Sequence, residues 1–572
     1  MNLAGSADDE YDCDLLMAGS GAAGLTAAIT APALGLRPMI IEKSGWIGGT
    51  TALSEGMIWV PLSRQAAAAG IADAAEKAVA YIGAAAGEYF DRPRATAYVH
   101  QAHSMLDFLE TNSHVQFELV SGSMDYEPGL PGSLGGGRAL RPGLFDARQL
   151  GPDIARLRTP LATTMIFGGM AIASADLSHF FALRTSWAAR LHVLGLVGRY
   201  ALDRMAGWPR GTRLGNGNGL IGSMMLTLRE RGVPIITGAR LASLNREAGR
   251  VTGAQVEQDG KQRVIRARAG VLLATGGFSA DPALRAKYYA HVRAGKNHVL
   301  VAPESNTGDG LRAATDAGGT IGANLSNVAA WSPVSLVPQG DGTLVPFPHY
   351  LDRGKPGVIA VCLLGTRFVN EALCYHDFVQ AMVRVSSDND RVEAFLIADR
   401  RALRRYGLGV VPPSPGRITS YLRNGYLLCS DTLAGLGEQL GLPPGSLSDT
   451  VRRFNADAAS GTDSEFGKGA DPYQRASGDP GHWPNPCVAP LLCAPFYGVR
   501  VYPGDIATFV GLRTDDCARV TDANGDPIAG LYAAGNDMMS VMGGSYPAAG
   551  ITVGSAMTFG YVAAKTAASA IL

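Results

Sequence analysis

The sequence is poor in features that indicate nucleic-acid binding, metal clusters or disulfide scaffolds. Basic and acidic residues balance at 50 each, and charged residues make up only 17% of the chain. Such a chain has no global field to attract a nucleic acid, so we expect no nucleic-acid partner. The seven cysteines contain no C-x-x-C pair, which argues against iron–sulfur clusters and favours reduced thiols. We also predict no metal site.

The sequence also lacks an export signal and a run suited to crossing a membrane. Residues 1–14 are acidic and polar, without a basic stretch or twin arginine, so we expect a cytoplasmic protein. The longest uncharged run, residues 538–564, is rich in Gly, Ser, Thr and Pro. It therefore predicts a cofactor loop followed by a buried helix rather than a membrane span.

What the sequence does contain is a nucleotide-binding pattern close to its start. A strand is predicted at residues 12–18 and is followed directly by the motif Gly19-Ser20-Gly21-Ala22-Ala23-Gly24. A helix is predicted at residues 25–33, and a second strand at residues 38–41 ends at Glu42. The glycines permit a tight turn, close approach of a pyrophosphate and close packing of helix on strand. Glu42 is then placed to accept hydrogen bonds from a ribose.

Three later segments favour FAD over NAD, because a long flavin cofactor needs contacts scattered along the chain. They are residues 48–54, residues 274–278 after a predicted strand at 270–273, and residues 530–536. The predicted cofactor-binding residues are Gly19, Gly21, Ala22, Ala23, Gly24, Glu42, Lys43, Ser44, Gly49, Thr50, Thr51, Ala52, Ser54, Gly56, Ala274, Thr275, Gly276, Asp309, Gly535, Asn536, Ile551 and Val553.

Three tyrosines lie in three separate motifs: Tyr126 in MDYEPG, Tyr375 in RFVNEALCY and Tyr546 in GGSYPAAG. Taken singly, each is as well explained as a turn residue, a core aromatic or a loop anchor. Together, and with no catalytic histidine and arginine set at the matching places, they suggest proton abstraction beside a ketone with hydride transfer to a flavin. That chemistry is desaturation of a cyclic ketone, and a steroid is the first candidate.

These motifs resemble the flavoprotein superfamily of fumarate reductases and 3-ketosteroid dehydrogenases over nearly the whole chain. The shared segments include residues 308–310, 367–371 and 511–536, and the tyrosine segments look like those of 3-ketosteroid Δ1-dehydrogenases. Two departures are residues 546–550, which read Tyr-Pro-Ala-Ala-Gly instead of Tyr-Pro-Gly-Pro-Gly, and a longer region at about 151–211. Residues 542–546 carry no cation to hold a carboxylate, which disfavours dicarboxylate reduction.

The resemblance implies an α/β fold, with a discontinuous Rossmann-like FAD-binding domain and an inserted α+β substrate domain. It implies domain boundaries of 1–310, with an apolar insertion at about 151–211, then 311–506 and 507–572. Thr50 and Thr51 stand where flavin-linked relatives have a histidine, so we expect FAD to be noncovalent. Residues 457–484, rich in Gly, Ser, Asp and Pro, predict a long surface loop.

The resemblance also assigns catalytic roles. Tyr375 would act as a phenolate base on C2, Tyr126 would hydrogen-bond near it, and hydride would pass from C1 to flavin N5. The Tyr546 hydroxyl and the Gly550 amide would bind the C3 oxygen. A free tyrosine has a pKa of about 10, so activity should rise toward mildly alkaline pH. The adjacent His376 is expected to lie beside the reacting groups or on the surface rather than to act as the base.

Several alternatives stay open. The chain could be a Δ4-(5α)-dehydrogenase, an enoate reductase of the same superfamily, or an electron-carrying subunit. As a dehydrogenase it would need a 3-ketosteroid substrate and an external acceptor, either quinone-like or a dye.

Residues 159–208 mix apolar residues with Arg184, Arg190, Arg199 and Arg204. They suit either a helix lying on a membrane surface or a lid over the FAD domain.

Overall fold

A computed structural model describes residues 10–183, 186–413 and 418–571 and shows an α/β fold with two principal sheets. The first sheet is mixed and has eight strands. Six of them lie side by side in the order Ile235–Thr237, Pro38–Glu42, Glu10–Ala18, Lys261–Leu273, Arg250–Gln258 and Ala239–Glu247. The other two extend the sheet from its central strand: Pro527–Ala533 pairs with Lys261–Leu273, and Arg519–Thr521 pairs with Pro527–Ala533.

The long strand Lys261–Leu273 joins the parallel and antiparallel parts of this sheet. Its first half pairs antiparallel with Arg250–Gln258, and its last residues pair parallel with Pro527–Ala533. Both halves also pair parallel with Glu10–Ala18. The parallel strand Pro38–Glu42 is buried along its whole length, as expected where helices or loops cover both faces of a sheet.

The second sheet has seven strands and is largely antiparallel. Five follow the order Leu344–Pro348, Ala329–Pro338, Phe496–Thr508, Ala394–Asp399 and Val358–Cys362, while Val299–Leu300 and Leu428–Ser430 also pair with Phe496–Thr508. Smaller sheets join Ile58–Trp59, Ala139–Pro142 and Phe117–Leu119; Ile321–Gly322 and Gly511–Leu512; Phe145–Asp146 and Arg213–Leu214; and Met165–Ile166 and Met170–Ala171.

The described residues contain these α-helices: Ala22–Thr30, Arg64–Ala68, Ala75–Ala86, Arg92–Asn112, Leu177–Phe181, Trp187–Met205, Asn216–Glu230, Pro282–Tyr288, Ala290–Arg293, Asp309–Asp316, Tyr375–Val385, Arg400–Tyr406, Thr419–Arg423, Leu433–Leu440, Ser446–Ala458, Pro472–Ser477 and Ile551–Ser569. Short 3₁₀ segments include Thr51–Leu53 and Gly535–Asp537.

Glycines allow the elements of the nucleotide-binding fold to pack at backbone distance. A Cβ on Gly24 would lie 2.0 Å from the Gly19 carbonyl oxygen, and one on Gly19 would lie 2.0 Å from that of Ala274. A Cβ on Gly560 would lie 2.3 Å from the Ala23 carbonyl oxygen. The helices Ala22–Thr30 and Ile551–Ser569 therefore cross so closely that a side chain at Gly560 would force them apart.

The predicted local elements are present, with shifted boundaries. The first strand spans Glu10–Ala18, its helix Ala22–Thr30 begins three residues earlier than predicted, and the second strand is Pro38–Glu42. The predicted surface loop at 457–484 is wrong in part, because it contains the helix Pro472–Ser477 and buries Lys468. Arg184 lies outside the described residues, and the domain boundaries stay a prediction.

Candidate active site

The glycine-rich turn after the first strand leaves hydrogen-bond donors for an anion. The helix Ala22–Thr30 begins after Gly21, and its first intrahelical bond runs from the Leu25 amide to the Gly21 carbonyl. The Ala22 amide donates to Thr51 Oγ1 at 3.3 Å, while the amides of Ala23 and Gly24 have no acceptor within the helix. A Cβ at Gly21 would meet only that threonine oxygen, at 4.0 Å. This open, donor-lined turn fits a pyrophosphate.

Glu42 and its neighbours form a connected polar group at the end of the second strand. The Glu42 carboxylate accepts from the Ser20 hydroxyl at 2.6 Å and from the Ser44 amide at 2.8 Å. The Lys43 ammonium lies 2.9 Å from Asp309 Oδ2, at the start of another helix. All four predicted residues of this group, Glu42, Lys43, Ser44 and Asp309, thus lie together, although Lys43 is already paired with Asp309.

The loop between the second strand and Ile58–Trp59 carries the next predicted residues. Gly49 and Gly56 have positive φ angles of 50° and 68°. The Ser54 hydroxyl donates to the Thr51 carbonyl at 2.8 Å, and Ala52 is buried in the 3₁₀ turn between them. Thr50 Oγ1 accepts from Asn306 Nδ2 at 3.0 Å, which links this loop to the Gly276 carbonyl through the same amide.

Asp537, which was not among the predicted residues, connects two of the predicted cofactor segments. Its carboxylate accepts from the Thr275 amide and hydroxyl and from the Gly277 amide. Asn536 Nδ2 donates to the Gly276 carbonyl at 3.3 Å. Burial raises the Asp537 pKa to about 6, against the opposing effect of these hydrogen bonds. Its position directly after Asn536 was the available sequence signal.

The remaining predicted residues complete the same region. The Ala274 amide donates to the Ala18 carbonyl at 2.9 Å, next to the glycine turn. A Cβ on Gly535 would contact the Ala23 side chain at 3.6 Å. Ile551 is buried at the start of the last helix, and Val553 is partly exposed. The open turn, the free amides and the surrounding glycines fit the phosphates of FAD.

The three predicted tyrosines converge on one cluster, although 420 positions separate the first from the last in sequence (546 − 126). The Tyr375 ring lies 5.1 Å from that of Tyr546 and 6.2 Å from that of Tyr126, centroid to centroid. The Tyr126 and Tyr546 rings stack at 6.2 Å. Tyr375 opens the helix Tyr375–Val385, and Tyr546 precedes the last helix.

Backbone contacts hold the first and last tyrosine segments in place. The Pro547 carbonyl accepts from the Tyr126 amide at 2.8 Å and from the Tyr81 hydroxyl at 2.7 Å. Asp125 is buried and accepts from Arg138 at 2.7 Å and from the Trp59 indole at 2.8 Å. These bonds define the position of Tyr126 relative to Tyr546 more strictly than ring packing alone would.

Gly550 is suited to donating its amide to a ligand. It has a φ of +87°, and a Cβ there would lie 2.6 Å from the backbone of Ile58, so the position requires glycine. Its carbonyl accepts from the Trp59 and Gly554 amides. Within residues 10–183, 186–413 and 418–571, its own amide has no acceptor.

Burial is the largest influence on the pKa of each of the three phenols. It raises the pKa values of Tyr126 and Tyr375 well above the usual value and that of Tyr546 to about 12. Hydrogen bonding with Tyr375 acts in the opposite direction on both Tyr126 and Tyr546. The phenols are therefore coupled, and a charge on one changes the ionisation of the others.

Two further tyrosines belong to the cluster and were missed from sequence. The Tyr473 ring lies 4.7 Å from that of Tyr126, and the Tyr350 ring lies 4.8 Å from that of Tyr375. Glu55 lies close enough for its charge to raise the pKa values of Tyr350 and Tyr546. Tyr473 lay inside the stretch that was predicted to be a surface loop, which concealed it.

His376 is buried and not on the surface. Its Nδ1 accepts from the Trp331 amide at 3.1 Å, and its ring lies 6.0 Å from that of Tyr546. Burial lowers its pKa to about 3, so the imidazole is neutral at physiological pH. A neutral side chain beside Tyr546 contributes packing and no positive charge to the cluster.

The cofactor region and the phenol cluster together define a flavoprotein oxidoreductase, and comparison with known proteins gives its family. Residues 14–553 match the model of the FAD binding domain family. The chain belongs to this family and uses FAD.

Two curated relatives match nearly the whole chain. One is the 4-oxocyclohex-2-ene-1-carboxylate 5-dehydrogenase of Sinomonas cyclohexanicum, 36% identical over 557 residues, which cover 97% of this chain and 94% of the relative. The other is the 3-oxosteroid 1-dehydrogenase of Mycolicibacterium smegmatis, 35% identical over 570 residues, which cover 97% and 96%. Both names describe dehydrogenation of a cyclic ketone.

A solved structure agrees with this relationship. The 3-ketosteroid Δ1-dehydrogenase of Sterolibacterium denitrificans, in complex with 1,4-androstadiene-3,17-dione, superposes with a TM-score of 0.89 at 35% identity, covering 98% of this chain and 100% of the other. The expected fold, cofactor and relationship to 3-ketosteroid dehydrogenases are thereby confirmed. Among the described residues, no helix combines the length and apolarity needed to span a bilayer.

Proposed function

We propose that this protein desaturates the 1,2-bond of 3-ketosteroids. The observation that carries the proposal is the cluster of Tyr126, Tyr375 and Tyr546 beside the free amide of Gly550. The similarity to the 3-oxosteroid 1-dehydrogenase and to the steroid-bound structure supports the substrate class.

In this reaction the residues of the chain handle a proton and a developing oxyanion. Tyr546 and the Gly550 amide would donate hydrogen bonds to the C3 oxygen, which acidifies the protons on C2 and stabilises the enolate. Tyr375, as phenolate, would accept the C2 proton, and Tyr126 would share that charge through its hydrogen bond. FAD, when bound, supplies a hydride acceptor for the hydrogen on C1.

We further propose that FAD is bound noncovalently, because Thr50 and Thr51 stand in the loop where flavin-linked relatives have a histidine. An external quinone-like acceptor would then reoxidise the flavin.

A second candidate substrate class is the monocyclic 4-oxo ring carboxylates, such as 4-oxocyclohex-2-ene-1-carboxylate, which the similarity to the Sinomonas dehydrogenase favours. Ketone chemistry is common to both candidates, so the cluster alone does not separate them. Glu55 does favour the steroid. Its carboxyl has no hydrogen-bond or ion-pair partner among the described residues, and burial raises its pKa. When Glu55 is ionised, a substrate carboxylate near it would meet like charge.

The test is product identification with purified FAD-loaded protein. Androst-4-ene-3,17-dione, a long-chain 4-en-3-one, 5α-androstane-3,17-dione and 4-oxocyclohexanecarboxylate would each be incubated with an artificial acceptor. We expect a 1,4-dien-3-one from both 4-en-3-one steroids and a 1-en-3-one from the 5α-steroid. A Δ4 product from a 5α-steroid would indicate the Δ4-(5α)-dehydrogenase reaction, and turnover of the monocycle alone would overturn the steroid assignment. Anaerobic bleaching of the flavin by steroid alone would exclude a role as an electron-carrying subunit.

We also propose that the helix Trp187–Met205 contacts a membrane surface. Trp187, Leu191, Leu194, Leu202 and Met205 lie on one side of it and are 59–75% exposed. At 3.6 residues per turn they form a continuous apolar stripe about 28 Å long. Its opposite side, with Ala189, Val193 and Asp203, is buried on the protein. A membrane contact would bring the enzyme close to lipid-soluble steroids.

A further inference from the structure

His376 directly follows the proposed base in the chain and has no part in the proposed reaction. It is 2% exposed, and its Nδ1 accepts from the Trp331 amide at 3.1 Å. Its Nε2 has no hydrogen-bond partner of normal geometry among the described residues, although the Gly544 backbone lies close enough to oppose the effect of burial on its pKa. Burying a polar ring with one unsatisfied nitrogen is unfavourable for stability, which points to a functional reason for the bond to Trp331.

An irregularity in the second sheet explains why the Trp331 amide needs an acceptor outside the sheet. The strand Ala329–Pro338 pairs with Phe496–Thr508, and the register shifts by one residue between Ala330 and Trp331. Such a bulge disrupts the ladder locally, and a buried amide beside it has to be satisfied by another acceptor. The Trp331 amide lies at this bulge and donates to the His376 ring.

The position to which His376 bonds is itself held firmly. The Trp331 ring packs edge to face against the rings of Tyr289 and His298, with centroids 5.0 and 6.0 Å apart. Asp505, which lies opposite Trp331 on the partner strand and is fully buried, accepts from the Tyr289 hydroxyl at 3.0 Å and lies 2.8 Å from His298 Nε2. Trp331 is therefore a fixed reference point to which a neighbouring element can be anchored.

The residues on both sides of the base pack against the oxyanion donor. The His376 ring lies 6.0 Å from the Tyr546 ring. On the other side of Tyr375, the Cys374 Sγ lies 4.0 Å from the Tyr546 carbonyl oxygen. The Tyr375 and Tyr546 rings are themselves 5.1 Å apart. A displacement of this short segment would therefore change the distance between the two phenols directly.

The start of the helix Tyr375–Val385 has little capping of its own. Its N-cap residue, Cys374, makes no side-chain hydrogen bond to the first turn, whereas His376 joins that turn to the sheet. The segment of the oxyanion donor is held separately, by two hydrogen bonds to the Pro547 carbonyl. Loss of the bond from His376 should therefore move the base more than it moves the oxyanion donor.

Resting on the proposed function, we infer that His376 is a positioning residue that holds the base Tyr375 at a set distance from the oxyanion donor Tyr546. It does so by anchoring the first turn of the helix to the bulged strand at Trp331. The base and the oxyanion donor act on adjacent carbons of one ring, so a displacement of about 1 Å between them lowers the rate strongly. No proton passes through the imidazole.

The test compares three variants that keep different parts of the imidazole. His376→Asn keeps an acceptor near the position of Nδ1, His376→Gln moves the acceptor toward the position of Nε2, and His376→Phe keeps a ring without an acceptor. In FAD-loaded protein we expect His376→Phe and His376→Gln to lower kcat per bound flavin by about 10- to 100-fold, with little change in the KM for androst-4-ene-3,17-dione. His376→Asn should recover most of the wild-type kcat.

The control is His482→Phe, which removes another histidine bonded to the backbone, at 2.8 Å from the Asn485 carbonyl. It should keep the wild-type kcat. Wild-type kcat in His376→Phe would overturn the inference, as would equal kcat values for His376→Asn and His376→Phe. Should His376→Phe retain no flavin, the comparison of His376→Gln with His376→Asn decides in the same way.

A second readout needs no substrate. Hydrogen–deuterium exchange of the peptide that contains Trp331 should be several-fold faster in His376→Phe than in the wild type and in His376→Asn, because the amide loses its acceptor. Equal exchange in all three proteins would overturn the inference. Faster exchange in His376→Phe without steroid turnover by the wild type would refute the proposed function and leave the anchoring role of His376 intact.

Discussion

The three phenols are placed in an environment that opposes the ionised form which the proposed reaction needs. Desolvation raises the pKa of each, and the neighbouring Tyr350, Tyr473 and Cys374 add no positive charge. Activity of a phenolate base here therefore depends on how much of the charge is shared by hydrogen bonds among the phenols. Single substitutions separate these contributions, because removing a hydroxyl leaves the ring packing in place.

Tyr375→Phe and Tyr546→Phe should keep FAD bound and lose most turnover. Loss of the base should lower kcat by about 10²- to 10⁴-fold, and loss of the oxyanion donor by about 10²- to 10³-fold. Flavin absorbance and steady-state kinetics measure the two effects. Tyr561→Phe, in the last helix and 5.5 Å from Phe108, is the control and should behave like the wild type. Near-normal turnover in either test variant would remove that tyrosine from the mechanism.

Glu55→Gln should change substrate preference more than it changes steroid turnover. It removes an acid that has no hydrogen-bond or ion-pair partner among the described residues and whose charge raises the pKa values of Tyr350 and Tyr546. We therefore expect kcat/KM for 4-oxocyclohexanecarboxylate relative to androst-4-ene-3,17-dione to rise about tenfold, the effect of one like-charge contact of about 1.4 kcal/mol. The comparison is made across a range of pH, because the contact repels a carboxylate only when Glu55 is ionised and burial raises its pKa. An unchanged ratio would show that Glu55 does not select against carboxylates.

The two helices that flank the FAD site depend on backbone contact. Ala22–Thr30 would present its first turn to the FAD phosphates, and the helix Ile551–Ser569, which is capped by Gly550, crosses the first helix at Gly560. The last helix would thus connect cofactor binding to the proposed oxyanion donor, since a shift of one helix would move Ala23 and Gly550 together.

Gly560→Ala should destabilise the protein by about 1–3 kcal/mol and weaken FAD retention, because its Cβ would overlap the Ala23 carbonyl at 2.3 Å. Thermal unfolding and flavin released on dilution measure both effects. Gly195→Ala is the matched control: it also lies inside a helix but has no atom within 4 Å of the new Cβ, so it should be neutral or stabilising by up to about 1 kcal/mol. Equal unfolding temperatures for the two variants would contradict the crossing argument.

At the scale of the whole molecule, the apolar stripe on Trp187–Met205 is the proposed membrane contact, where the enzyme would meet a lipid-soluble substrate. The double variant Leu191→Ser/Leu194→Ser should reduce sedimentation with phospholipid vesicles several-fold. Both leucines are exposed on the protein, and each one that enters the lipid contributes about 1.5–3 kcal/mol to transfer from water. Leu364→Ser/Leu492→Ser, at two exposed leucines elsewhere, should sediment like the wild type. Equal recovery of all three proteins in the supernatant would favour the lid interpretation.

Much of the nucleotide-binding fold was predictable because its signals are local. The glycines at 19, 21 and 24, the flanking apolar strands and Glu42 all lie within residues 12–42, and a Cβ at Gly24 would lie 2.0 Å from the carbonyl oxygen of Gly19 in the same turn. The motif contexts of Tyr126, Tyr375 and Tyr546 were likewise visible. The boundaries were less predictable, since packing and capping determine where a helix ends.

The sequence by itself determined that this chain builds an FAD-binding fold and carries three phenols in family-like motifs, because both depend on short stretches of residues. Only the tertiary structure decided what surrounds those phenols. Tyr350, Tyr473 and Glu55 come from separate segments, and their proximity follows from how two sheets and their loops pack, which no local pattern records. The pKa of a buried base depends on all of these neighbours at once, so its electrostatics could be derived only after folding placed them.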